Sequence, residues 1–243
     1  MTEKPSLQFI QLQNWPIFRQ LQLEEALLRA DDRNWCILNA GTTPAIVMGI
    51  SGKPEQLIDK NHFQKNPIPI IRRFSGGGTV IVDESTIFVT LICGSHAVPI
   101  ANFPKQILGW AGNLYKPVFK GADFRVEEND YVIGDRKFGG NAQYICKNRW
   151  LHHSTLLWDF TLENMKYLKM PLKIPEYRKN REHQDFLCRL SEHLPGKKEF
   201  YLWFTDSLSQ HFTLQHTLET EIEECLHRPH RKATTLLPSN PYR

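Results

Sequence analysis

The sequence predicts an α+β fold built on a mixed, largely antiparallel sheet with flanking helices. In the first half of the chain, short β-like runs follow one another directly, each bounded by glycine, proline or aspartate. Stretches with helical periodicity occur only at intervals between these runs. A doubly wound sheet requires strands and helices to alternate, so that fold class is excluded. The β-like runs cover residues 35–39, 45–48, 68–73, 79–82 and 88–93.

The remaining elements follow from capping signals and from the spacing of apolar residues. The first helix is predicted to start at Asn14-Trp15-Pro16, with Asn14 as N-cap and Pro16 in the first turn, and to run to about residue 30. Apolar residues at positions 103, 107, 110, 111 and 114 share one face of a second helix. Further strands are predicted at residues 131–133, 143–145 and 154–158, and a late amphipathic helix at residues 200–212.

Length and composition favour one domain over residues 1–226, followed by a basic tail over residues 227–243. A chain of 243 residues with 41% hydrophobic content can bury one good core. The tail has little periodicity, so we expect it to be frayed or loosely docked. A net charge of +4 is too mild to indicate a nucleic-acid partner, and no apolar run approaches the roughly 18 residues of a membrane span. Without a signal or transit peptide, we expect a cytoplasmic location.

The five cysteines are predicted to be reduced. They lie far apart, and none forms the close pairs that zinc or redox motifs require. We interpret them as small apolar fillers, although a nucleophilic cysteine stays an alternative. They are Cys36, Cys93, Cys146, Cys188 and Cys225.

A glycine run, Ser75-Gly76-Gly77-Gly78, lies between two predicted strands. Three glycines remove side-chain bulk and allow positive φ, so backbone N–H groups can approach a ligand closely. A tight turn between strands would explain the run equally well. Arg72 and Arg73 precede it, and neighbouring residues of a strand point to opposite faces. One of the two arginines can therefore reach a pocket and bind phosphate, while the other pairs outside.

Lys137 is the candidate catalytic residue. It lies on a predicted strand and is followed by Gly139-Gly140, which again removes bulk beside a cation. A solvated lysine in a hairpin is the alternative. Asn129-Asp130 could bind the polar edge of a nucleotide or a magnesium ion, or could form a turn.

Two adjacent histidines, His152-His153, precede Ser154 and Thr155. On a strand they face opposite ways, and no cysteine or carboxylate stands at ligand spacing, so we do not interpret them as metal ligands. One is expected near the pocket and the other in a structural position.

Taken together, these motifs resemble the lipoate-protein ligase A family over roughly residues 15 to 190. The segment Gln20-Leu21-Gln22-Leu23-Glu24-Glu25 is similar to a helix motif of that family. The resemblance implies the biotin/lipoate protein ligase catalytic-domain fold, which is class II synthetase-like. The matching residues are Arg72-Arg73-x-Ser75-Gly76-Gly77-Gly78-x-Val80-x-x-Asp83, Asn129-Asp130, Gly134-Asp135-Arg136-Lys137 and His152-His153-x-Thr155-Leu156-Leu157.

The resemblance implies an enzyme that uses ATP and Mg²⁺ to convert lipoate or octanoate to an acyl-adenylate. The acyl group then passes to a lysine of an acceptor domain, in a 2-oxoacid dehydrogenase E2 component or the glycine-cleavage H protein. It implies Lys137 as catalytic, Asn129, Asp130 and Lys137 at the nucleotide, and Asp130 at the metal. Val47 and Val80 could line a tunnel for the acyl chain. The implied substrate-binding residues are Arg72, Arg73, Ser75, Gly76, Gly77, Gly78, Gly139, Gly140, His153 and Thr155.

The sequence also departs from the family pattern. Val82 stands where a histidine is common, and Ser154 replaces a glycine. Full-length ligases of the family carry a C-terminal accessory domain for which this chain has no room, so we expect a short form, and an accessory ligase subunit is a possible partner. A basic segment over residues 166–181 is interpreted as a steering surface for acidic acceptor domains, or else as a solvated face. Its cations are Lys166, Lys169, Lys173, Arg178, Lys179 and Arg181.

Two other functions stay open. The first is an octanoyl or lipoyl transferase that uses a cysteine instead of ATP; neither Cys146 nor Cys188 fits the cysteine positions of such relatives. The second is a non-catalytic subunit that binds an acyl-adenylate or a partner ligase. Retention of Lys137 argues against it, because nothing structural requires a lysine there.

Overall fold

The computed structural model describes residues 3–171, 174–239 and 241–242. Its strands form two mixed sheets. The strands are β1 (Ser6–Gln13), β2 (Trp35–Ala40), β3 (Ala45–Met48), β4 (Ile70–Arg72), β5 (Thr79–Val82), β6 (Thr86–Gly94), β7 (Phe124–Glu127), β8 (Asp130–Ile133), β9 (Arg136–Cys146), β10 (Arg149–Leu157), β11 (Thr213–His216) and β12 (Thr235–Leu236). The helices are α1 (Ile17–Ala30), α2 (Pro54–Leu57), α3 (Lys60–Lys65), α4 (Pro104–Tyr115), α5 (Leu162–Met165), α6 (His183–Phe186), α7 (Lys197–Ser209) and α8 (Glu219–His227).

The predicted fold class is confirmed. The large sheet has the order β11-β1-β2-β6-β10-β9-β8-β7, and the small sheet has the order β12-β4-β3-β5. Within the large sheet, β1 runs parallel to β2 and β11, and every other pair is antiparallel. In the small sheet only β3 and β4 are parallel.

The large sheet has two different faces, which the alternation of side chains along β6 shows directly. Ile87, Val89 and Leu91 join the largest apolar cluster, which also contains the buried residues of α4 and α7. On the opposite face, Phe88 packs with α1 and the small sheet, and Thr90 accompanies it. The period of two therefore assigns one face to the core and the other to a cavity.

The first helix begins differently from its prediction. Asn14 is not the N-cap: it has φ +52°, and Pro16 is the residue that precedes the helix. The first backbone N–H, that of Ile17, donates to Thr42 Oγ1 at 2.9 Å. A side chain from the β2–β3 loop thus satisfies a donor that helix starts leave unpaired.

The prediction that the tail is frayed or loosely docked was also wrong. The backbone N–H groups of Ala233 and Thr234 donate to the Glu25 carboxylate at 2.9–3.0 Å. Thr235 and Leu236 then form β12, which pairs antiparallel with β4. These long-range partners outweigh the weak local propensity of the segment. The division of the chain at residue 226 stays a prediction.

Several elements were missed or divided by the prediction from sequence. The strand β1 was not predicted, nor were β7, β11, α8 and the short helices. The strand β9 continues from Arg136 through Cys146, so Lys137 and the predicted strand at 143–145 belong to one element. Among the described helices, none combines the length and apolarity needed to cross a membrane.

Candidate functional site

A cavity of about 750 Å³ lies between α1, the small sheet and the second face of the large sheet. One part of its wall is apolar and is formed by residues of α1 and of both sheets. It includes Val47 and Val80, the two residues predicted to line a tunnel for the acyl chain. The apolar lining residues there are Ile17, Leu21, Val47, Val80, Val82 and Phe88. A cavity of this size and lining suits a small amphiphilic ligand with one apolar end.

Lys137 lies at the start of β9 and extends to the cavity wall. Its Nζ lies 2.7 Å from Oδ1 of Asp130, the first residue of β8. Gly140 is the register partner of Asp130, and a Cβ at Gly140 would lie 3.4 Å from Lys137 Nζ. Glycine at this position therefore leaves space for the ammonium. At Gly139, a Cβ would lie 2.7 Å from Leu156 Cδ2, so this glycine serves sheet packing.

The glycine run forms the β4–β5 connection and borders the same cavity. Gly77 has φ +105°, and a Cβ there would lie 2.7 Å from Arg73 Nη2. Gly76 and Gly78 have nothing within 4 Å of the corresponding position. Only the middle glycine is therefore required by the backbone, and its neighbours leave the loop open on the ligand side.

Arg73 is buried and supports the loop from within. Its Nε donates to Ser75 Oγ at 3.0 Å, and its Nη2 donates to the Gly76 carbonyl at 2.7 Å. Burial lowers the pKa of Arg73 to about 10, and the negative charge of Glu24 opposes that shift. The guanidinium is still charged near pH 7, so a fixed positive charge lies beneath the loop.

A chain of hydrogen bonds connects this loop to α1. Glu24 Oε1 accepts from Thr90 Oγ1 at 2.7 Å, and Glu24 Oε2 lies 2.8 Å from His153 Nδ1. The other nitrogen of His153, Nε2, lies 3.4 Å from Ser75 Oγ. Sequence reasoning assigned no role to Glu24. The available signal was the segment from Gln20 to Glu25, which is similar to a helix motif of the family and contains Glu24. In the structure, Glu24 and Glu25 are both 1% exposed.

The two adjacent histidines face opposite sides of the large sheet. His153 lines the cavity, whereas His152 is buried in the core with Nε2 2.7 Å from Tyr131 OH. Burial lowers the pKa of His152 to about 3, so this ring is neutral near pH 7. The structure therefore places one histidine at the cavity and the other in the core, and the role of His153 in substrate binding stays a prediction.

Most of the predicted site residues are brought together, with two exceptions. Arg72 does not line the cavity; its Nη2 donates to the Gly52 carbonyl at 3.1 Å. Ser75 is fully buried and reaches the cavity only through His153 and Arg73. The predicted residues that line the cavity are Arg73, Gly76, Gly77, Gly78, Asn129, Asp130, Lys137, Gly139, Gly140, His153 and Thr155.

The basic segment forms the expected exposed surface only in part: Lys166, Lys169 and Lys179 are exposed, whereas Arg178 and Arg181 are engaged by local partners. Arg178 is buried at the cavity wall, with its Nε donating to the Arg181 carbonyl at 2.8 Å and its guanidinium over the Phe186 ring. Burial lowers its pKa. Arg181 pairs with Asp135 at 2.9 Å. Local acceptors thus engage these cations, which sequence spacing cannot show. Lys173 lies outside the described residues.

Cysteine chemistry finds little support at the cavity. None of the five cysteines, all within the described ranges, lines it. Cys188 comes near, because its N–H donates to the Lys137 carbonyl at 2.9 Å. Its thiol is buried, and burial raises the pKa to about 11, which disfavours a nucleophilic thiolate. Cys146 is exposed, so the filler interpretation is wrong for that residue.

Metal ligands are sparse in this region. Among the described residues, no cluster of three or more histidine, cysteine or carboxylate side chains is arranged to hold a metal ion. Asp130 lines the cavity with a carboxylate already bonded to Lys137. One carboxylate together with phosphate oxygens and water is a common ligand set for Mg²⁺, so Asp130 fits as a single ligand.

The structure thus brings a lysine–carboxylate pair and a glycine loop to one partly apolar cavity on a mixed sheet. The family model for the lipoyl protein ligase A/B catalytic domain matches residues 16–213. The chain belongs to this family, as the motifs predicted.

Curated relatives resemble the chain at moderate identity. The "Inactive lipoate--protein ligase 2" of Plasmodium falciparum is 27% identical over 74% of this chain and 62% of the relative. The "Probable lipoate-protein ligase A" of Mycoplasma pneumoniae is 28% identical over 78% of this chain and 53% of the relative. The chain therefore spans about half to three fifths of the length of these relatives.

Solved structures support the fold. A crystal structure of lipoate-protein ligase A bound with ATP superposes with a TM-score of 0.73 at 17% identity, covering 92% of both chains. A bipartite lipoate protein ligase, studied with its E2 lipoyl domain from Thermoplasma acidophilum, superposes with a TM-score of 0.71 at 18% identity, covering 92% of this chain and 91% of the other.

Proposed function

We propose that this chain is a lipoate-protein ligase. It activates lipoate or octanoate with ATP and transfers the acyl group to a lysine of a lipoyl acceptor domain. The observation that carries the proposal is that Lys137, held by Asp130, and an open glycine loop border one cavity with an apolar wall. Both ATP and a lipoyl domain appear with the structural neighbours.

In the first step, a carboxylate oxygen of the acid attacks the α-phosphorus of ATP, and pyrophosphate leaves. Two anions approach each other in this step, so fixed positive charges lower its barrier. Lys137 Nζ would contact the acyl carbonyl and phosphate oxygens. The Gly76 to Gly78 backbone, supported by buried Arg73, would hold the acyl-phosphate region.

In the second step, a neutral lysine amine of the acceptor attacks the acyl carbonyl, AMP leaves, and the new amide nitrogen loses a proton. Lys137 would stabilise charge on the carbonyl oxygen and on the departing phosphate. The apolar wall of Val47, Val80 and Phe88 would hold the acyl chain in register with this centre.

We assign the nucleotide to the part of the cavity lined by Asn129, Asp130 and Lys137. Asp130, whose two oxygens already contact Lys137 and Tyr177, would hold Mg²⁺ through a remaining lone pair, and the metal would neutralise phosphate charge when bound. Arg178 also lines this cavity, so we transfer it from the proposed acceptor surface to the anion site. Acidic lipoyl domains and an accessory subunit remain the proposed partners, and a bipartite ligase among the neighbours is consistent with the latter.

A second candidate is a non-catalytic subunit that binds the acyl-adenylate. The observation that favours it is the P. falciparum relative, whose name includes the word inactive. The thiol-dependent transferase is disfavoured, because the thiol of Cys188 is buried with a raised pKa.

One assay separates the three functions. The purified chain is incubated with lipoate or octanoate and a lipoyl domain, with and without ATP-Mg²⁺, and the acceptor is weighed by mass spectrometry. A mass increase that requires ATP and survives Cys188→Ala supports the ligase. Transfer from an acylated donor protein without ATP would establish the transferase instead. Binding of acyl-adenylate without any transfer would establish the non-catalytic subunit.

A further inference from the structure

Tyr177 makes a contact that the motifs do not account for. Its hydroxyl donates to Asp130 Oδ2 at 2.9 Å, while the other oxygen of the same carboxylate, Oδ1, lies 2.7 Å from Lys137 Nζ. Asp130 thus stands between a phenol and an ammonium, with one oxygen assigned to each. A carboxylate held at both oxygens cannot rotate without breaking one of these bonds.

The segment that carries Tyr177 is tied to the hairpin that carries Lys137. We call residues 174–188 the strap. Near its start, Glu128 Oε1 accepts from the Glu176 N–H at 2.6 Å. Further along, the Arg181 guanidinium donates to both the carboxylate and the backbone carbonyl of Asp135, which lies in the β8–β9 turn.

The strap is also fixed at its other end, where the Cys188 N–H donates to the Lys137 carbonyl at 2.9 Å. Within it, the Tyr177 ring packs against Phe186, with centroids 5.2 Å apart. The phenol is therefore held in place by packing and by backbone contacts on both sides of it.

The direction of this hydrogen bond follows from the two groups. A phenol hydroxyl carries one donor and a carboxylate oxygen accepts, so Tyr177 donates to Asp130 Oδ2.

We propose that Tyr177 is a positioning residue for Lys137. By occupying Asp130 Oδ2, it fixes the plane of the carboxylate, and the other oxygen then directs the ammonium toward the cavity. The proposal rests on the proposed function for its kinetic consequence, but its structural consequence is independent of catalysis. The hydroxyl itself touches neither reacting group and acts only through Asp130.

The test is Tyr177→Phe, which removes the hydroxyl and retains the ring against Phe186. The matched control is Tyr167→Phe, because the Tyr167 hydroxyl also makes one hydrogen bond, to the Asn66 carbonyl at 2.7 Å, and does not line the cavity. We expect Tyr177→Phe to lower kcat for acyl-adenylate formation about 10-fold with KM nearly unchanged, because a misplaced group costs rate more than binding. Tyr167→Phe should leave kcat near the parent value.

A double-mutant cycle identifies the route of the effect. If Tyr177 acts through Lys137, Tyr177→Phe should have no further effect on kcat in a Lys137→Ala background. The proposal is overturned if the single variant keeps the parent kcat, or if its full loss persists in that background.

A second readout does not depend on activity. An amine-reactive reagent labels the folded protein, and peptide mass spectrometry compares Lys137 with the exposed Lys147 in the β9–β10 turn. Tyr177→Phe should raise the labelling rate of Lys137 several-fold relative to Lys147. If the parent proves inactive but this shift is seen, the proposed function fails and the positioning role stands. An unchanged rate at Lys137 overturns the positioning role.

Discussion

Three pairs of identical residues are adjacent in the sequence, and each pair has one member at the cavity and one in the supporting framework of the fold. We call these the cavity side and the framework side. Glu24 faces His153 at the cavity, whereas Glu25 accepts the backbone N–H groups of Ala233 and Thr234. Both glutamates are 1% exposed. Residue type and burial therefore do not separate a site residue from a framework residue here; only the direction of the side chain does.

The same division occurs on β10 and at the end of β4. His153 lines the cavity while His152 binds Tyr131 in the core, and Arg73 supports the glycine loop while Arg72 binds the Gly52 carbonyl. Successive side chains of a strand point to opposite faces, so each pair places one charge or ring on each side. Variants on the cavity side should change activity, and those on the framework side should change stability.

The largest effect is expected at Lys137. Lys137→Ala should lower acyl transfer by about 10²- to 10³-fold, because it removes a cation aimed at developing negative charge. The melting temperature should stay close to that of the parent. Lys147→Ala, in the exposed β9–β10 turn, is the control and should retain parent activity. Parent-level transfer by Lys137→Ala would show that the central assignment is wrong.

Variants of Glu24 and Glu25 test most directly whether cavity-side residues control activity and framework-side residues control stability. Glu25→Gln should lower the free energy of unfolding by about 1 to 3 kcal/mol, because an amide replaces the carboxylate that accepts two backbone donors. Its activity per folded molecule should change little. Glu24→Gln should instead lower kcat/KM for adenylation, because an amide N–H group then faces one of the donors around Glu24. Chemical denaturation and initial rates on both variants check this; equal losses of activity in the two would break the comparison.

Gly77 borders the cavity and also contacts the buried Arg73, so its substitution should lower both activity and stability. Gly77→Val should cost about 1 to 2 kcal/mol of stability, because φ is +105° and the new side chain would meet Arg73. Activity should fall with it. Gly78→Ala has open space at its Cβ and should keep parent stability, so any activity it loses reports on the ligand alone. If Gly77→Val folds and binds acyl-adenylate as tightly as the parent, the run is only a turn.

The last prediction concerns stability alone and is a pH dependence from His152. Its pKa is about 3 in the folded chain and 6.5 as the ordinary value, so its contribution to stability is complete above about pH 6.5. Below that, the unfolded chain binds a proton that the folded chain does not. Stability then falls by at most about 1.4 kcal/mol per pH unit down to the folded pKa.

Urea denaturation of the parent and of His152→Gln at about pH 7 and about pH 5 measures the contribution of His152 to the free energy of unfolding. The stability difference between the two proteins should shrink as pH falls, because the variant lacks the titrating ring. A difference that is the same at both pH values would show that the folded pKa of His152 is not depressed.

Sequence patterns predicted the parts of the molecule whose signal is local. The period-two strands, the amphipathic helices and the glycine run have their causes within about ten residues, and the fold class followed from their order. The opposite facing of His152 and His153 was also predictable, because strand geometry alone decides it.

The missed features depend on partners far apart in the sequence. Tyr177 binds Asp130, which lies 47 positions away in the sequence. At the start of α1, Thr42 and not Asn14 accepts the first backbone N–H. The tail has weak propensity of its own and is ordered by Glu25 and β4. Such contacts exist only after the chain has folded, so no periodicity or capping rule indicates them.

The pairing of β12 with β4 has a consequence for biosynthesis. During translation, β4 and its glycine loop leave the ribosome long before β12 is made, so β4 has an unpaired edge in the nascent chain. Open strand edges template the association of chains. A ribosome-bound chain that ends before residue 233 should therefore expose this edge to other chains, while a chain that includes β12 covers it with its own backbone.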